Sequence, residues 1–334
     1  MNSKKAVYIV AGLILVAGAF IYFIFSPFKS APISPKRIAI LTASDLQLQG
    51  VDGIKAGLKE LGHKEGDDIL TEIKNPKGDR ELTKTMAREI VAAAPDLIVS
   101  VSTSASSAVR DANKDAQIPV VAVDVGNFKE LGIENIQRPG GFMTAVVVDN
   151  VPAAPKRMEI LKTLLPNMKK IGILVNDKHV SYDEILRAHE DGAQKLGIEI
   201  LWFKVAKKEE IAPVMQKLVA AKPDAFMTTS EATISGNAPL IAPALKAAKI
   251  PSIDFNIERG VSSGYLMVYG IPRFEVGKQG ARIIDKVLNG ASPGEIPVEF
   301  ASVLRLEINA QLARELGISI PENLLLQANK IYQE

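Results

Sequence analysis

The same series of short segments occurs twice in this chain, about 130 residues apart. The segment KRIAIL at 36–41 returns as KKIGIL at 169–174. Leucine-glycine, proline-aspartate and isoleucine-proline pairs follow in the same order each time, at 61, 95 and 118 and again at 196, 223 and 250. This spacing is too long for a solenoid, whose repeats run about 20–50 residues. The repeat therefore predicts two successive domains of one type with a cleft between them, which is a common place for a small-molecule site.

Each half alternates short apolar strands with helices, a pattern that predicts an α/β fold with two similar, doubly wound parallel-sheet lobes. One helix is predicted to start near Ser104 and another to run without a break over 233–248. The predicted strands are 37–41, 69–73, 97–101, 120–123 and 142–148 in the first half, and 171–175, 199–205, 225–228, 251–254 and 264–269 in the second.

The last third of the chain predicts a hinge with three crossings. The helix at 273–288 has no counterpart in the repeat, so we assign it to the first lobe. The segment 303–308 then crosses back and sends the helix at 310–316 to the second lobe. The predicted boundaries are 37–149 plus 271–302 for lobe 1, and 150–270 plus 303–334 for lobe 2. Such a hinge bends without unfolding either lobe.

The N-terminal segment predicts a membrane anchor. Residues 6–25 are twenty uncharged, mostly apolar residues, enough for a helix of about 30 Å, the thickness of the hydrocarbon core. A cleaved signal peptide is the alternative, but Ser30-Ala31 is a poor cleavage site. Lys4 and Lys5 place the short end in the cytoplasm and the body outside. We predict an anchor at 1–28, a tether at 29–36, and a single-pass protein of the cell membrane with an extracytoplasmic body.

Composition excludes several classes of function. The chain has no cysteine, which excludes disulfides and thiolate zinc sites. Beyond residue 35 there are 37 basic and 38 acidic residues, so no basic surface for nucleic acid is expected. Glycine-rich phosphate loops, nucleophile elbows and paired-histidine metal motifs do not occur. We therefore predict no enzymatic activity, no cofactor and no metal site.

Polar residues collect where the strands of the first lobe end, the edge at which open α/β sheets bind ligands. Hydroxyl groups are most concentrated at 102–107, where five of six residues are serine or threonine. Hydroxyls and free N–H groups at a helix start can hold a carboxylate, although one serine there would serve as an ordinary cap. The predicted ligand residues of this lobe are Ser44, Asp45, Ser102, Thr103, Ser104 and Asp124.

The matching positions of the second lobe give the other half of the predicted site. Glu231 could receive an amine, or could cap the helix that follows it. Aromatic residues at the hinge, among them Tyr269, could contact an apolar side chain or fill the hinge core. The predicted ligand residues of this lobe are His179, Ser230, Glu231, Asn256 and Tyr269.

Several segments together resemble the substrate-binding proteins of ABC transporters, in the subfamily that includes tryptophan- and tyrosine-binding lipoproteins. The segments are 36–41, 57–66, 95–99, 118–121, 138–141, 164–167, 270–277 and 316–322. The resemblance covers about 36–331 and implies a type I periplasmic-binding fold that closes on a small solute. Thr103 and Ser104 match the helix start that binds ligand in the family, and the segment 230–233 matches a second ligand segment.

The chain departs from the family at ligand-facing points. Val123-Asp124-Val125 stands where Thr-Asp-Pro is usual, Ser230-Glu231-Ala232 replaces Thr-Asp-Asn, and 254–259 replaces a Ser-Glu-Glu run. The cysteine that carries the family's lipid is absent. The resemblance implies a receptor that binds a small-molecule solute, with an amino acid as the first expectation, and delivers it to separate permease and ATPase subunits. The alternative is a sensor that passes occupancy to a signalling partner.

Overall fold

The computed structural model describes residues 34–179 and 181–333. The described residues from 36 onward belong to one compact unit. The predicted anchor at 1–28 lies outside the described residues. Within the described ranges, no helix is both long and apolar enough to cross a membrane.

Within residues 34–179 and 181–333, the first sheet contains six strands, all paired in parallel, in the order β11-β5-β4-β3-β1-β2. Its strands are β1 (Lys36–Thr42), β2 (Ile69–Lys74), β3 (Leu97–Val101), β4 (Val120–Val125), β5 (Met143–Val147) and β11 (Glu299–Phe300).

The second sheet, in the part of the chain that the structure describes, has seven strands in the order β13-β12-β10-β9-β8-β6-β7. Its first five strands in the chain repeat the spatial order of the first sheet, which confirms the internal repeat. The other pairs of this sheet are parallel, as predicted, but β12 runs antiparallel to β10, so the prediction does not hold for this one pair. The strands are β6 (Lys170–Asn176), β7 (Glu199–Val205), β8 (Ala225–Thr228), β9 (Ser252–Asp254), β10 (Met267–Gly270), β12 (Arg305–Asn309) and β13 (Lys330–Tyr332).

The α-helices of the described residues connect these strands. They are α1 (Leu48–Glu60), α2 (Arg80–Ala92), α3 (Thr103–Ala112), α4 (Ala154–Leu164), α5 (Tyr182–Leu196), α6 (Ile211–Ala221), α7 (Ala232–Ser235), α8 (Ala238–Ala247), α9 (Gly260–Ser263), α10 (Arg273–Leu288), α11 (Ala310–Leu316) and α12 (Glu322–Gln327).

Alternation along the central strands divides the apolar side chains of lobe 1 between the two faces of the sheet. In β1, Ile38 and Ile40 belong to the core under α1 and α10, whereas Ala39 and Leu41 belong to the core under α2 and α3. All residues of β3 are buried, as expected for a central parallel strand covered on both faces. Lobe 2 likewise has a core on each side of its sheet.

Helix α10, which has no counterpart in the repeat, packs against α1 at very short range. A Cβ atom on Gly53 would lie 2.0 Å from the carbonyl oxygen of Phe274, and one on Gly277 would lie 2.0 Å from that of Gly50. The two backbones therefore touch, which only glycine permits. This contact fixes the start of α10, and with it Arg273, on the side of lobe 1.

The chain passes between the two sheets three times, after β5, after β10 and after β11. A salt bridge between Glu275 on α10 and Arg305 on β12 joins the lobes beside these crossings. The residue boundaries predicted for the lobes remain predictions.

Two helix predictions are wrong in detail. α3 begins at Thr103 with Ser102 as its N-cap, one residue before the predicted start at Ser104. The helix predicted over 233–248 is two pieces, α7 and α8, because Gly236 and Asn237 interrupt it with a turn and Asn237 precedes α8. Four short elements were not predicted, because segments of two to six residues carry too little periodicity to detect. They are α9, α12, β11 and β13.

Candidate functional site

The backbone at the carboxyl end of β3 is strained. Ser102 has φ 113° and ψ 159°, a conformation that glycine adopts readily and other residues rarely do. Its hydroxyl accepts a hydrogen bond from the backbone N–H of Ala105 at 3.2 Å and lies 3.3 Å from the hydroxyl of Ser104. Strain of this kind occurs most often at binding sites, where the surrounding structure enforces it.

The hydroxyls of the 102–107 cluster have different roles. Ser106 is buried, and its hydroxyl contacts that of Ser100 at 2.8 Å and donates to the carbonyl of Ser102 at 2.7 Å. Thr103 accepts a hydrogen bond from the N–H of Gly126 at 2.9 Å, and this bond joins α3 to the loop after β4. Ser104 is exposed. The strands β3 and β4 are neighbours, so Ser102 and Asp124 are brought to one edge.

Asp124 is the next-to-last residue of β4 and also has a left-handed backbone, with φ 58°. Its Oδ2 atom accepts a hydrogen bond from Nε of Arg273 at 3.0 Å. Nη1 of Arg273 donates to Oε2 of Glu258 at 2.5 Å, and the backbone N–H of Arg273 donates to Oε1 of Glu258 at 2.7 Å. One arginine thus joins a carboxylate of lobe 1 to a carboxylate in the loop after β9 of lobe 2. We call these three residues the hinge triad.

The hinge triad is largely removed from water. The side chains of Asp124, Arg273 and Glu258 are 8%, 18% and 3% exposed. Burial raises the pKa of Asp124, and the nearby Glu258 carboxylate raises it further, while the guanidinium of Arg273 acts in the opposite direction. Burial alone would lower the pKa of Arg273, but the two carboxylates outweigh burial and raise it.

The matching edge of lobe 2 uses its polar groups internally. Both carboxylate oxygens of Glu231 accept backbone hydrogen bonds at the start of α7, from Thr233 and Ile234 at 2.9 Å each. The hydroxyl of Thr229 donates to the carbonyl of Leu174 at 2.9 Å. The hydroxyl of Thr228 donates to Asp254. Of the two roles predicted for Glu231, the structure shows the helix cap.

A buried polar cluster lies beneath this edge, next to the hinge. Arg157 is fully buried, and it donates to the carbonyls of Asn150 at 2.8 Å and Tyr269 at 3.3 Å, which flank two of the crossings. Burial lowers the pKa of Arg157 to about 10 and raises the pKa of Asp254. Buried polar atoms without a partner in the described part of the chain are Asn150 Oδ1, Arg157 Nε, Asn256 Oδ1 and Tyr265 Oη, with His189 Nε2 on α5.

The remaining predicted residues take local roles. Ser44 caps the short 3₁₀ turn at 45–47 together with Gln47, and Asp45 accepts a hydrogen bond from Asn75 at 2.7 Å. His179 Nδ1 accepts from the N–H of Ser181 at 3.2 Å. Ser230 is half-buried, and Tyr269 is half-buried on β10.

Sequence reasoning missed three residues of this region: Arg157, Glu258 and Arg273. Their signal was present but weak. Glu258 lies in the segment that departs from the family, and Arg273 follows Pro272 at the start of α10. No cluster of three or more potential metal-ligating side chains occurs among the described residues.

The chain matches the family model for ABC transporter substrate binding proteins over residues 37–332. It belongs to this family. A tyrosine-binding protein of Clostridioides difficile is 29% identical over 267 residues, which are 80% of this chain and 76% of the relative.

Solved structures show the same two-lobed fold. The ABC domain of Streptococcus pneumoniae in complex with L-Trp is 28% identical, with a TM-score of 0.72, and the match covers 88% of this chain and 99% of that one. The ligand-free, open structure of a substrate-binding protein with adhesive properties from Clostridium difficile is 22% identical. Its TM-score is 0.75, the match covers 90% of this chain and 100% of that one, and the two share the same fold.

Proposed function

We propose that this protein is the extracytoplasmic receptor of an ABC importer and that its lobes close on an amino acid. The observation that carries the proposal is the hinge triad. It joins the facing edges of two lobes of the same topology, beside a strained helix start where Ser104 is exposed. Membership of the substrate-binding family supports the transport role, with separate permease and ATPase subunits as partners.

An amino acid with an aromatic side chain is the proposed solute. The tyrosine-binding relative and the structure bound to L-Trp support this class. In the proposed complex, the hydroxyls and N–H groups at 102–104 bind the carboxylate, and Asp124 receives the ammonium. Glu231 is the weaker candidate for the ammonium because both of its oxygens are engaged. The proposed lining is Ser44, Asp45, Ser102, Thr103, Ser104, Asp124, His179, Ser230, Glu231, Asn256 and Tyr269.

The test is a thermal-shift screen of the full-length protein against amino acids, sugars, purines and small organic acids, followed by calorimetry. L-Tryptophan and L-tyrosine are the first probes. A solute at one hundred times its dissociation constant stabilises a protein by about 2.7 kcal/mol, which is easily measured. A shift with aromatic amino acids and none with sugars is expected. A shift produced by another class alone would contradict the amino-acid proposal and leave the receptor role in place.

The transport role and the anchor need separate tests. Deletion of the gene is expected to abolish uptake of the bound solute. Cell fractionation is expected to place the full-length protein in the membrane, with its body open to protease from outside. A soluble product that starts near Ala31 would replace the anchor with a cleaved signal peptide.

A further inference from the structure

The hinge triad has an excess of negative charge and a carboxylate oxygen that remains available. Arg273 engages Oδ2 of Asp124, and both oxygens of Glu258. Oδ1 of Asp124 accepts no hydrogen bond within the described part of the chain, and the side chain keeps 8% of its surface exposed. Two carboxylates and one guanidinium leave one net negative charge. An ammonium group fits this arrangement better than an anion does.

The position of Arg273 is fixed independently of any solute. The backbone contact between α10 and α1 holds the start of α10 on lobe 1. Glu258, in lobe 2, accepts hydrogen bonds from the guanidinium of Arg273 and from the first backbone N–H of α10. Asp124 is therefore oriented by a residue that is itself held from both lobes.

We propose that Arg273 is a positioning residue that keeps Asp124 ionised and aims Oδ1 at the amino group of the solute. The inference rests on the function proposed above and adds a residue outside the predicted lining. It also assigns opposite roles to the two neighbours of Asp124. Arg273 favours the carboxylate form of Asp124 and Glu258 disfavours it, because unlike charges attract and like charges repel.

This arrangement makes solute affinity depend on pH in a defined direction. An ammonium binds to the ionised carboxylate, so affinity is highest above the pKa of Asp124 and falls as the pH drops through it. Burial raises that pKa above the ordinary value for an aspartate. Arg273 and Glu258 are the charged groups that act on Asp124 within the described residues. The neighbouring hydroxyls at 102–104 do not titrate in this range.

The experiment measures the dissociation constant across pH for the full-length wild type, Arg273→Met, Arg273→Lys and Glu258→Gln. The probe is L-tryptophan or L-tyrosine, whichever gives the larger thermal shift, and its des-amino analogue is the control. Arg273→Met is expected to move the loss of affinity on acidification to higher pH by about one unit or more. A shift of one pH unit corresponds to a tenfold loss of affinity for the solute at a fixed pH below the transition. Arg273→Lys keeps the charge and is expected to restore most of the wild-type profile.

Glu258→Gln is expected to move the same transition to lower pH, the opposite direction. A general disturbance of the hinge would weaken binding at every pH and would not produce shifts of opposite sign. Binding of the des-amino analogue is expected to be weak and unaffected by these shifts. Melting curves establish whether each variant is folded. If Arg273→Met does not fold, the pH profiles of Glu258→Gln and Arg273→Lys are the test.

The outcomes separate the two proposals. If the wild type binds no amino acid, the proposed solute class is wrong. If the wild type binds but the transition stays at the same pH in all variants, or moves the same way in Arg273→Met and Glu258→Gln, the role of Arg273 is overturned and the proposed function stands.

Discussion

The carboxyl edges of the two lobes have the same topology but use their polar groups differently. In lobe 1, Ser102 and Asp124 adopt left-handed backbone conformations, and Ser104 is exposed. In lobe 2, the carboxylate of Glu231 caps α7, and the hydroxyl of Thr228 donates a hydrogen bond to the buried Asp254. A repeat in sequence thus does not imply a repeat in use. In the proposed complex, most contacts to the solute come from lobe 1 and the hinge. The polar groups at the lobe 2 edge mainly form hydrogen bonds within lobe 2.

The largest expected effect is at the lobe 1 edge. The double substitution Thr103→Ala and Ser104→Ala is expected to weaken solute binding by several-fold to a thousandfold. Each neutral hydrogen bond contributes about 0.5–1.5 kcal/mol, and one to a charged group up to about 3 kcal/mol. Calorimetry with the solute found in the screen measures the effect. Ser262→Ala, at an exposed position of lobe 2, is the matched control. Unchanged affinity in the double variant would move the site elsewhere.

At the lobe 2 edge, Thr228→Val is expected to lower stability rather than affinity. The hydroxyl of Thr228 donates to the buried Asp254, and its loss leaves that carboxylate short of a donor at a cost of about 1–3 kcal/mol. Urea unfolding measures the free energy. Thr163→Val, whose hydroxyl donates to a carbonyl on the exposed surface of α4, is the control. A stable variant with tenfold weaker binding would place Thr228 in the recognition machinery and break the contrast between the edges.

A smaller loss is expected for Glu231→Ala, again in stability. Removal of a helix cap costs about 0.5–2 kcal/mol, and Glu231→Gln, which keeps one acceptor oxygen, should lose less. Affinity for the solute is expected to stay within a few-fold of the wild type. An ammonium role for Glu231 would instead appear as a large loss of affinity in both variants.

The smallest effect is at the base of lobe 1, away from both edges. His63 lies between Asp68 at 2.6 Å and Asp285 at 3.0 Å. Burial would lower the pKa of His63, but the two aspartates outweigh it and raise the pKa above 6.5. Its stabilisation is therefore full below about pH 6.5 and is lost as the pH rises through the folded-state pKa.

His63→Gln is expected to remove this pH dependence of unfolding, worth a few tenths to about 1 kcal/mol. Urea unfolding of both proteins at about pH 6 and about pH 8.5 measures it. Solute affinity should not change at either pH. A change in affinity would show that the base of lobe 1 communicates with the edge.

The sequence predicts the fold better than it predicts the site. Strand 97–101 is predicted to the residue because a short apolar run with clear ends has one simple interpretation. Asp124 and Arg273 are 149 residues apart, and their contact depends on how α10 returns to lobe 1. Periodicity does not contain that information. Glu231 shows a second limit of prediction from sequence. A carboxylate beside a helix start can cap the helix or bind a ligand, and only the three-dimensional structure distinguishes these two roles.

Closure of the lobes around a solute is the central claim, and a distance measurement tests it most directly. The chain has no cysteine, so Lys129→Cys in lobe 1 and Lys208→Cys in lobe 2, both exposed and both beyond strand carboxyl ends, provide two unique spin-label sites. Pulsed electron–electron double resonance on the full-length protein then measures the distance between the two labels. We predict a shorter label distance at saturating solute. In the Thr103→Ala, Ser104→Ala background the same shortening is expected only at the higher solute concentration that its weaker affinity requires. An unchanged distance distribution in the wild-type background, with calorimetry showing the site occupied, would contradict the account.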